Sequence, residues 1–295
     1  MPRIDTVHDE VTPAAARRAW AHVEPYHSMI YFAPEASEAY ADLGLKGWAQ
    51  YFAPRAAALG AASAEVVTAA FFNFHPDAVR AAIPGAWEVA APEQVLAARL
   101  SAADAALRRI LGTVVESPEV ARAAELARRA AEAAADDVSG RPLYAAHATL
   151  PWPEEPHLVL WHAQTLLREY RGDGHVAALL TAGLSGLDAL VTHAAAGGGM
   201  PAEMLRTLRK WSQEEWDAAA DGLRESGWLA EGPELALTSV GAQRRARIEE
   251  ITDSLALAPY TALGAEGCAE LAELGRPLSK PLVRELMPWA AGRRK

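Results

Sequence analysis

Apolar side chains recur every three to four residues along most of the chain, and prolines and short hydroxyl residues interrupt the recurrence at intervals. This pattern predicts a mainly α protein. Thr12-Pro13 opens the first helix, which runs through Trp20 to about Tyr26, with a hydroxyl residue at the cap and proline in the first turn. Two near-copies of one motif follow, Tyr31-Phe32-Ala33-Pro34 and Tyr51-Phe52-Ala53-Pro54, each an aromatic pair meeting a proline. They read either as two equivalent helix junctions buried in a core or as two aromatic pairs lining one cavity. Residues 63–72 fit a helix or a strand, and Asn73-Phe74-His75-Pro76 breaks the pattern before a short helix over 77–83. Pro92 and Pro118 each open an amphipathic helix, over 93–111 and to about Ala135. Residues 136–156 hold four prolines and little periodicity. The predicted organisation is therefore a helical N-terminal domain over 1–140, a packed connector over 141–156 and a C-terminal domain over 157–295.

In that last part a helix over 157–170 is expected to stop at Arg171-Gly172-Asp173-Gly174, with a new one starting near His175. A helix over 187–195 closes at Gly197-Gly198-Gly199, and a short helix over 201–209 precedes a longer one capped by Ser212 and stopped by Gly227. Two strand-like pieces, 228–230 and 235–238, flank the turn Glu231-Gly232-Pro233, and a long helix follows over 240–255.

The run Leu223-Arg224-Glu225-Ser226-Gly227-Trp228-Leu229, followed by Leu237-Thr238-Ser239-Val240-Gly241, resembles a MarR-type winged helix over about 186–262. The whole chain is also similar to an actinobacterial helix-turn-helix family, a likeness that implies a scaffold and no activity. These resemblances imply a winged-helix C-terminal domain with a small β-hairpin, DNA-binding regulation as one function, and a homodimer paired through terminal helices. The helix over 212–226 would then read DNA. It carries Glu214, Glu215, Asp217, Asp221 and Glu225 against Arg224, and the wing tip adds Glu231 and Glu234. Duplex DNA presents about one negative charge per ~1.7 Å, so such a face is repelled, and nucleic acid is a disfavoured partner.

Composition points the same way. The 295 residues hold 28 Lys and Arg against 38 Asp and Glu, a net charge of −10, and half of them are apolar. The single cysteine, Cys268, excludes an intramolecular disulfide and fits a reducing cytoplasm. Neither a signal peptide nor a run of the ~18 apolar residues needed for a membrane span is visible. Heavy use of Ala and Arg fits GC-rich bacterial coding.

Histidines sit beside aromatic residues at His27, His75 and His162, but none has zinc-ligand spacing, so no metal site is expected; one-sided haem ligation by a lone histidine is an alternative. Arg168, Glu169, Arg171, Asp173 and His175 form the densest polar group in the chain. They read either as a salt-bridge network at a helix corner or as a site in which Arg168 or Arg171 holds an anionic or carbonyl group and Asp173 orients His175 for proton transfer. The leading expectation is a small-molecule-binding protein with weak or absent DNA binding. Its pocket would be built from Tyr26, His27, Tyr31, Trp48, Tyr51, Arg55, Asn73, His75, Trp161, His162, Arg168 and Arg171, taking a flat, mostly apolar ligand. A DNA-binding regulator and an enzyme using His175 and Asp173 are the alternatives, and the cofactor is unknown.

Overall fold

A computed structural model describes residues 10–197 and 199–290. Caps and prolines begin the helices close to where the pattern places them. Thr12 accepts from the Ala15 amide at the head of α1 (Pro13–Ser28), and Pro34 starts α2 (Pro34–Asp42). After α3 (Ala49–Ala56), Ser63 caps α4 (Ala64–Phe71), so the segment that fits either helix or strand is helical. Two short helices, α5 (Pro76–Arg80) and α6 (Gly85–Val89), lead to α7 (Pro92–Leu111). Ser117 caps α8 (Pro118–Ala133), and α9 (Pro142–Ala148) forms inside the proline-rich stretch. The long α10 (Pro156–Thr181) precedes α11 (Gly186–Ala195), α12 (Ala202–Leu208) and α13 (Gln213–Glu225). Thr238 caps α14 (Ser239–Leu255), after which come the short α15 (Ala258–Thr261) and α16 (Gly264–Leu286).

Two hydrophobic clusters organise these helices. The larger draws on both ends of the chain, from Val23 and Tyr26 of α1 through Leu107, Leu126 and Leu160 to Leu271 of α16. Helix α1 lies against α16 so closely that a Cβ on Gly275 would sit 2.4 Å from Val23 Cγ2. The smaller cluster gathers Leu190, Leu205, Trp216, Leu223, Trp228 and Ile248 around α11 to α14. Helix α10 connects the two, contributing Leu160, Leu166 and Tyr170 to the first and Ala178 and Leu179 to the second. Buried alanines line much of α7 and α8, among them Ala103, Ala106, Ala127 and Ala130. Alanine favours the helix intrinsically and lets backbones approach, which suits helices packed on several sides.

Two expectations are corrected. The helix expected to stop at Arg171-Gly172-Asp173-Gly174 continues through it as one span. Gly174 is used for close approach rather than for turning: a Cβ there would lie 3.1 Å from Arg141 Nη1 and 3.2 Å from Leu255 Cβ.

The winged-helix domain with a β-hairpin is contradicted, although the mainly α character agrees. Among the described residues no strand forms; residues 228–238 make a single antiparallel bridge between Leu229 and Leu237. The Ala230 amide donates to the Ala236 carbonyl at 2.9 Å and the Thr238 amide to the Trp228 carbonyl at 3.0 Å. Pairing ends there because helices claim both flanks. The Trp228 amide donates back to Leu223 O at the end of α13, and the Thr238 hydroxyl accepts from Gly241 N at the start of α14. In the turn between them Pro233 has no amide to donate, and Gly232 takes a φ of 118°.

Candidate functional site

Several of the residues singled out from the sequence converge in the larger cluster. Helices α1, α3 and α10, with the 3₁₀ turn Met29–Tyr31 that follows α1, bring His27, Tyr31, Tyr51, Arg55, Trp161 and Arg168 together. His27 is fully buried; its Nδ1 pairs with Thr165 Oγ1 at 2.8 Å and its Nε2 with Tyr31 Oη at 3.0 Å. The imidazole stacks on Trp161 with ring centroids 5.9 Å apart. Arg55 Nη1 donates to Tyr51 Oη at 3.0 Å, and its guanidinium sits 4.3 Å from the Phe71 ring centroid. Arg168 pairs with Glu24 and lies 5.4 Å from the Tyr31 ring. Trp48 packs against Phe52, Tyr51 and Phe74. Tyr26 is fully buried with its hydroxyl unpartnered.

Guanidinium groups dominate the electrostatics here. Burial holds the His27 imidazole well below its ordinary pKa, and Arg168 and Arg99 reinforce this, so the ring is neutral. Burial alone would raise the Tyr51 phenol, yet Arg55, Arg209 and Arg168 outweigh it and pull that pKa down. Such a phenol is a strong hydrogen-bond donor beside cations.

These side chains border a cavity of about 230 Å³, lined by Tyr31, Tyr40, Gln50, Tyr51, Arg55 and Arg99 among others. Arg55 Nε and Arg99 Nη2 are buried without a hydrogen-bond partner. Aromatic walls with guanidinium groups of incomplete hydrogen bonding are suited to a molecule that is mostly apolar and carries an acceptor or anionic group. Arg99 did not stand out from the sequence. It lies within a long amphipathic helix, where an arginine reads as outer-face charge, and only the packing of α7 puts it inside.

The other predicted site residues lie elsewhere. Asn73 and His75 join the two helical clusters: Asn73 O accepts from Trp211 Nε1 at 3.0 Å, and His75 Nε2 pairs with Glu215 Oε1 at 3.0 Å. His162 packs edge-on to Trp152, with centroids 4.8 Å apart. Arg171 pairs with Asp253 at 2.8 Å and covers Trp20, away from the aromatic group around Tyr51. Asp173 and His175 are held by different partners. Asp173 accepts from the Tyr144 amide at 3.0 Å, and His175 Nδ1 pairs with Thr252 Oγ1 at 2.8 Å. Burial raises the Asp173 carboxyl to about pKa 7 and lowers the His175 imidazole to about 4. Among the described residues no group of three or more His, Cys, Asp or Glu side chains is placed to hold a metal ion. No single described helix is long and apolar enough to cross a membrane.

Helices α12 and α13 follow one another through the turn at residues 209–212, where the sequence places the DNA-reading pair. On α13, Arg224 is paired to Asp221 at 2.7 Å, and Glu214, Asp217 and Glu225 bring no basic partner of their own into the ion pairs seen. The nearby basic residues are engaged internally. Arg206 donates to Trp211 O at 3.2 Å, Arg209 to Asn73 Oδ1 at 3.3 Å, and Arg244 to Ser226 O at 3.0 Å. Arg245 and Arg247 pair with Glu249 and Glu250.

No curated protein and no solved structure matches the chain. A family model does, described as a helix-turn-helix family and aligned over residues 16–288, which takes in the aromatic cavity as well as α12 and α13. The chain therefore belongs to that helix-turn-helix family.

Proposed function

We propose that this protein binds a small, largely apolar molecule within its larger helical cluster, on a helix-turn-helix scaffold with weak affinity for DNA. The observation that carries this reading is the cavity of about 230 Å³ at Tyr31 and Tyr51, where Arg55 and Arg99 keep unpartnered N–H groups among aromatic walls. Glu169 acts on Arg55, but no carboxylate pairs directly with Arg55 or Arg99 in the ion pairs seen, and burying N–H groups without acceptors is unfavourable for folding alone, so a ligand acceptor gives them a use. The acidic surface of α13 supports the second half of the reading.

Screening an apolar and aromatic small-molecule library by thermal shift, beside mass spectrometry of molecules released on denaturation, tests the proposal. The expected result is at least one ligand whose affinity falls tenfold or more in Arg55→Met. A library with no ligand, together with no copurified molecule, overturns it.

Family membership favours a second reading, a DNA-binding regulator. Fluorescence anisotropy with a random duplex at low salt separates the two. Submicromolar binding with a steep salt dependence supports the regulator, and its lack supports the ligand-binding scaffold.

A further inference from the structure

Arg99 also borders a second cavity, of about 350 Å³. Its walls are chiefly apolar, formed by Leu96 and Leu100 of α7, Leu150, Pro151 and Pro153 beyond α9, and the Trp161 ring of α10. Three of its lining residues carry a buried polar atom with no hydrogen-bond partner. Arg99 is 2% exposed and donates Nη1 to Pro54 O at 3.2 Å, while Nη2 has no partner. Trp161 Nε1 and His162 Nε2 also lack hydrogen-bond partners, and both residues are buried.

Charge around the chamber is one-sided. The Arg99 guanidinium lies 5.2 Å from the Trp161 ring centroid, and among the described residues no carboxylate forms an ion pair with it. His147 and His162 are held neutral by burial and by Arg99 itself. Arg128, the other cation near His162, is paired to Glu132 at 2.7 Å. Glu93, the acid among the lining residues, is exposed. Arg55 also acts on His147 but has the Glu169 carboxylate acting on it in turn, which leaves Arg99 as the cation to be balanced from outside the protein, in a chamber whose remaining surface favours hydrocarbon. A neutral guest would leave that cation unmatched, and a dianion would bring a second charge with no counterpart.

We propose that this second cavity binds an apolar monocarboxylate. The carboxylate is held by Arg99 Nη2 with the Trp161 and His162 ring nitrogens as further donors, and the hydrocarbon or aromatic body lies against Leu96, Leu100 and Leu150. This inference rests on the ligand-binding reading and assigns a chemical class to it, in a chamber that shares Arg99 with the first.

The test titrates the purified full chain with 1-naphthoate and with decanoate, each beside its primary amide, following heat by calorimetry. The expected result is that at least one acid binds tenfold or more tightly than its amide, and that Arg99→Met removes the difference. Leu100→Trp, which fills the chamber and leaves the cation in place, weakens the acid at least tenfold, whereas Gln50→Trp in the first cavity leaves it unchanged. Should Arg99→Met fail to fold, Arg99→Lys and Leu100→Trp carry the comparison. Equal binding of acid and amide overturns the carboxylate assignment and leaves the ligand-binding reading standing. Loss of binding in Gln50→Trp with retention in Leu100→Trp moves the ligand to the first cavity and overturns the second. Binding by neither probe overturns this inference, and the ligand screen against Arg55→Met then decides the broader reading separately.

Discussion

Nε2 of His75 lies 3.0 Å from Oε1 of Glu215, a hydrogen bond between residues 140 positions apart. His75 Nδ1 accepts from the Asp77 amide, so the ring proton is on Nε2 and His75 is the donor to the carboxylate. The other oxygen of Glu215 receives the Ser212 amide and hydroxyl at 2.9 and 2.7 Å, a capping box at the start of α13. One acid on the helix-turn-helix thus caps its own helix and ties it to the segment before α5.

Glu215→Ala removes both roles, while Glu215→Gln keeps a capping side chain without the charge. The alanine variant is expected to lose about 1–2 kcal/mol in urea unfolding and the glutamine variant less than half of that, since glutamine still offers an oxygen to the cap and to His75 and the contact is partly solvated. Equal unfolding midpoints for all three proteins would show that the link contributes nothing.

Opposite pH dependences are built into α10 and its neighbours. Burial lowers His27 and His147 well below the ordinary 6.5 and brings His162 and His175 to about 4. In the unfolded chain these rings take up protons below 6.5 while the folded ones stay neutral, so stability falls as pH drops from 6.5 toward 4. The slope is about 1.4 kcal/mol per pH unit for each ring. Asp173 works the other way. Its folded pKa of about 7 exceeds the ordinary 3.8, so its unfavourable contribution grows as pH rises from 3.8 to 7. Four rings outweigh one carboxyl, and the melting temperature is expected to fall between pH 6.5 and 5. Asp173→Asn retains an acceptor for the Tyr144 amide and is expected to stabilise the protein at pH 8, by up to roughly 4 kcal/mol, with little effect at pH 4. Calorimetry across that range measures both, and a pH-independent effect of Asp173→Asn would contradict the assignment.

Gly172 and Gly174 should respond to alanine with opposite signs. A Cβ on Gly172 meets Glu169 Oε2 at 3.7 Å, an ordinary contact, so Gly172→Ala is expected to gain about 0.5–1 kcal/mol from helix propensity. At Gly174 the Cβ would press on Arg141 and Leu255, and Gly174→Ala is expected to lose about 1–3 kcal/mol by overpacking. Denaturant melts of the two variants decide between a continuous helix and a helix stop, because at a stop both substitutions would destabilise.

Arg99 is expected to lower stability in return for binding. Arg99→Met replaces a buried cation by an apolar chain of similar length, at the loss of its bond to Pro54 O. The variant is expected to be about 1–3 kcal/mol more stable than the parent. A less stable Arg99→Met protein would mark the guanidinium as a structural support instead.

The helices were legible where local chemistry decides. Ser63, Ser117, Ser185, Ser212 and Thr238 each accept a backbone amide at a helix start, and Pro13, Pro34, Pro92 and Pro118 stand in first turns. The gathering of Tyr31, Tyr51 and Arg55 was half visible in the repeated aromatic-proline motif. Arg99, Glu24, Thr165 and His147 were not, because each looks like an ordinary helix residue until the partner helix is known. The hairpin failed because its limbs had the right residue types, yet α13 and α14 took the flanking groups for their own caps.

Residue order alone settled the mainly helical class, the starts of the helices opened by a clear cap or proline, such as α1, α7, α8, α13 and α14, and the acidic face of α13, since caps, prolines and charge act over a few positions; it did not mark α9 or α16. Packing decided which glycine is a stop and which a contact, which arginine is solvated and which is enclosed, and where the two cavities lie. Those outcomes depend on groups brought together across more than a hundred positions, and no local pattern encodes the desolvation that such a meeting imposes.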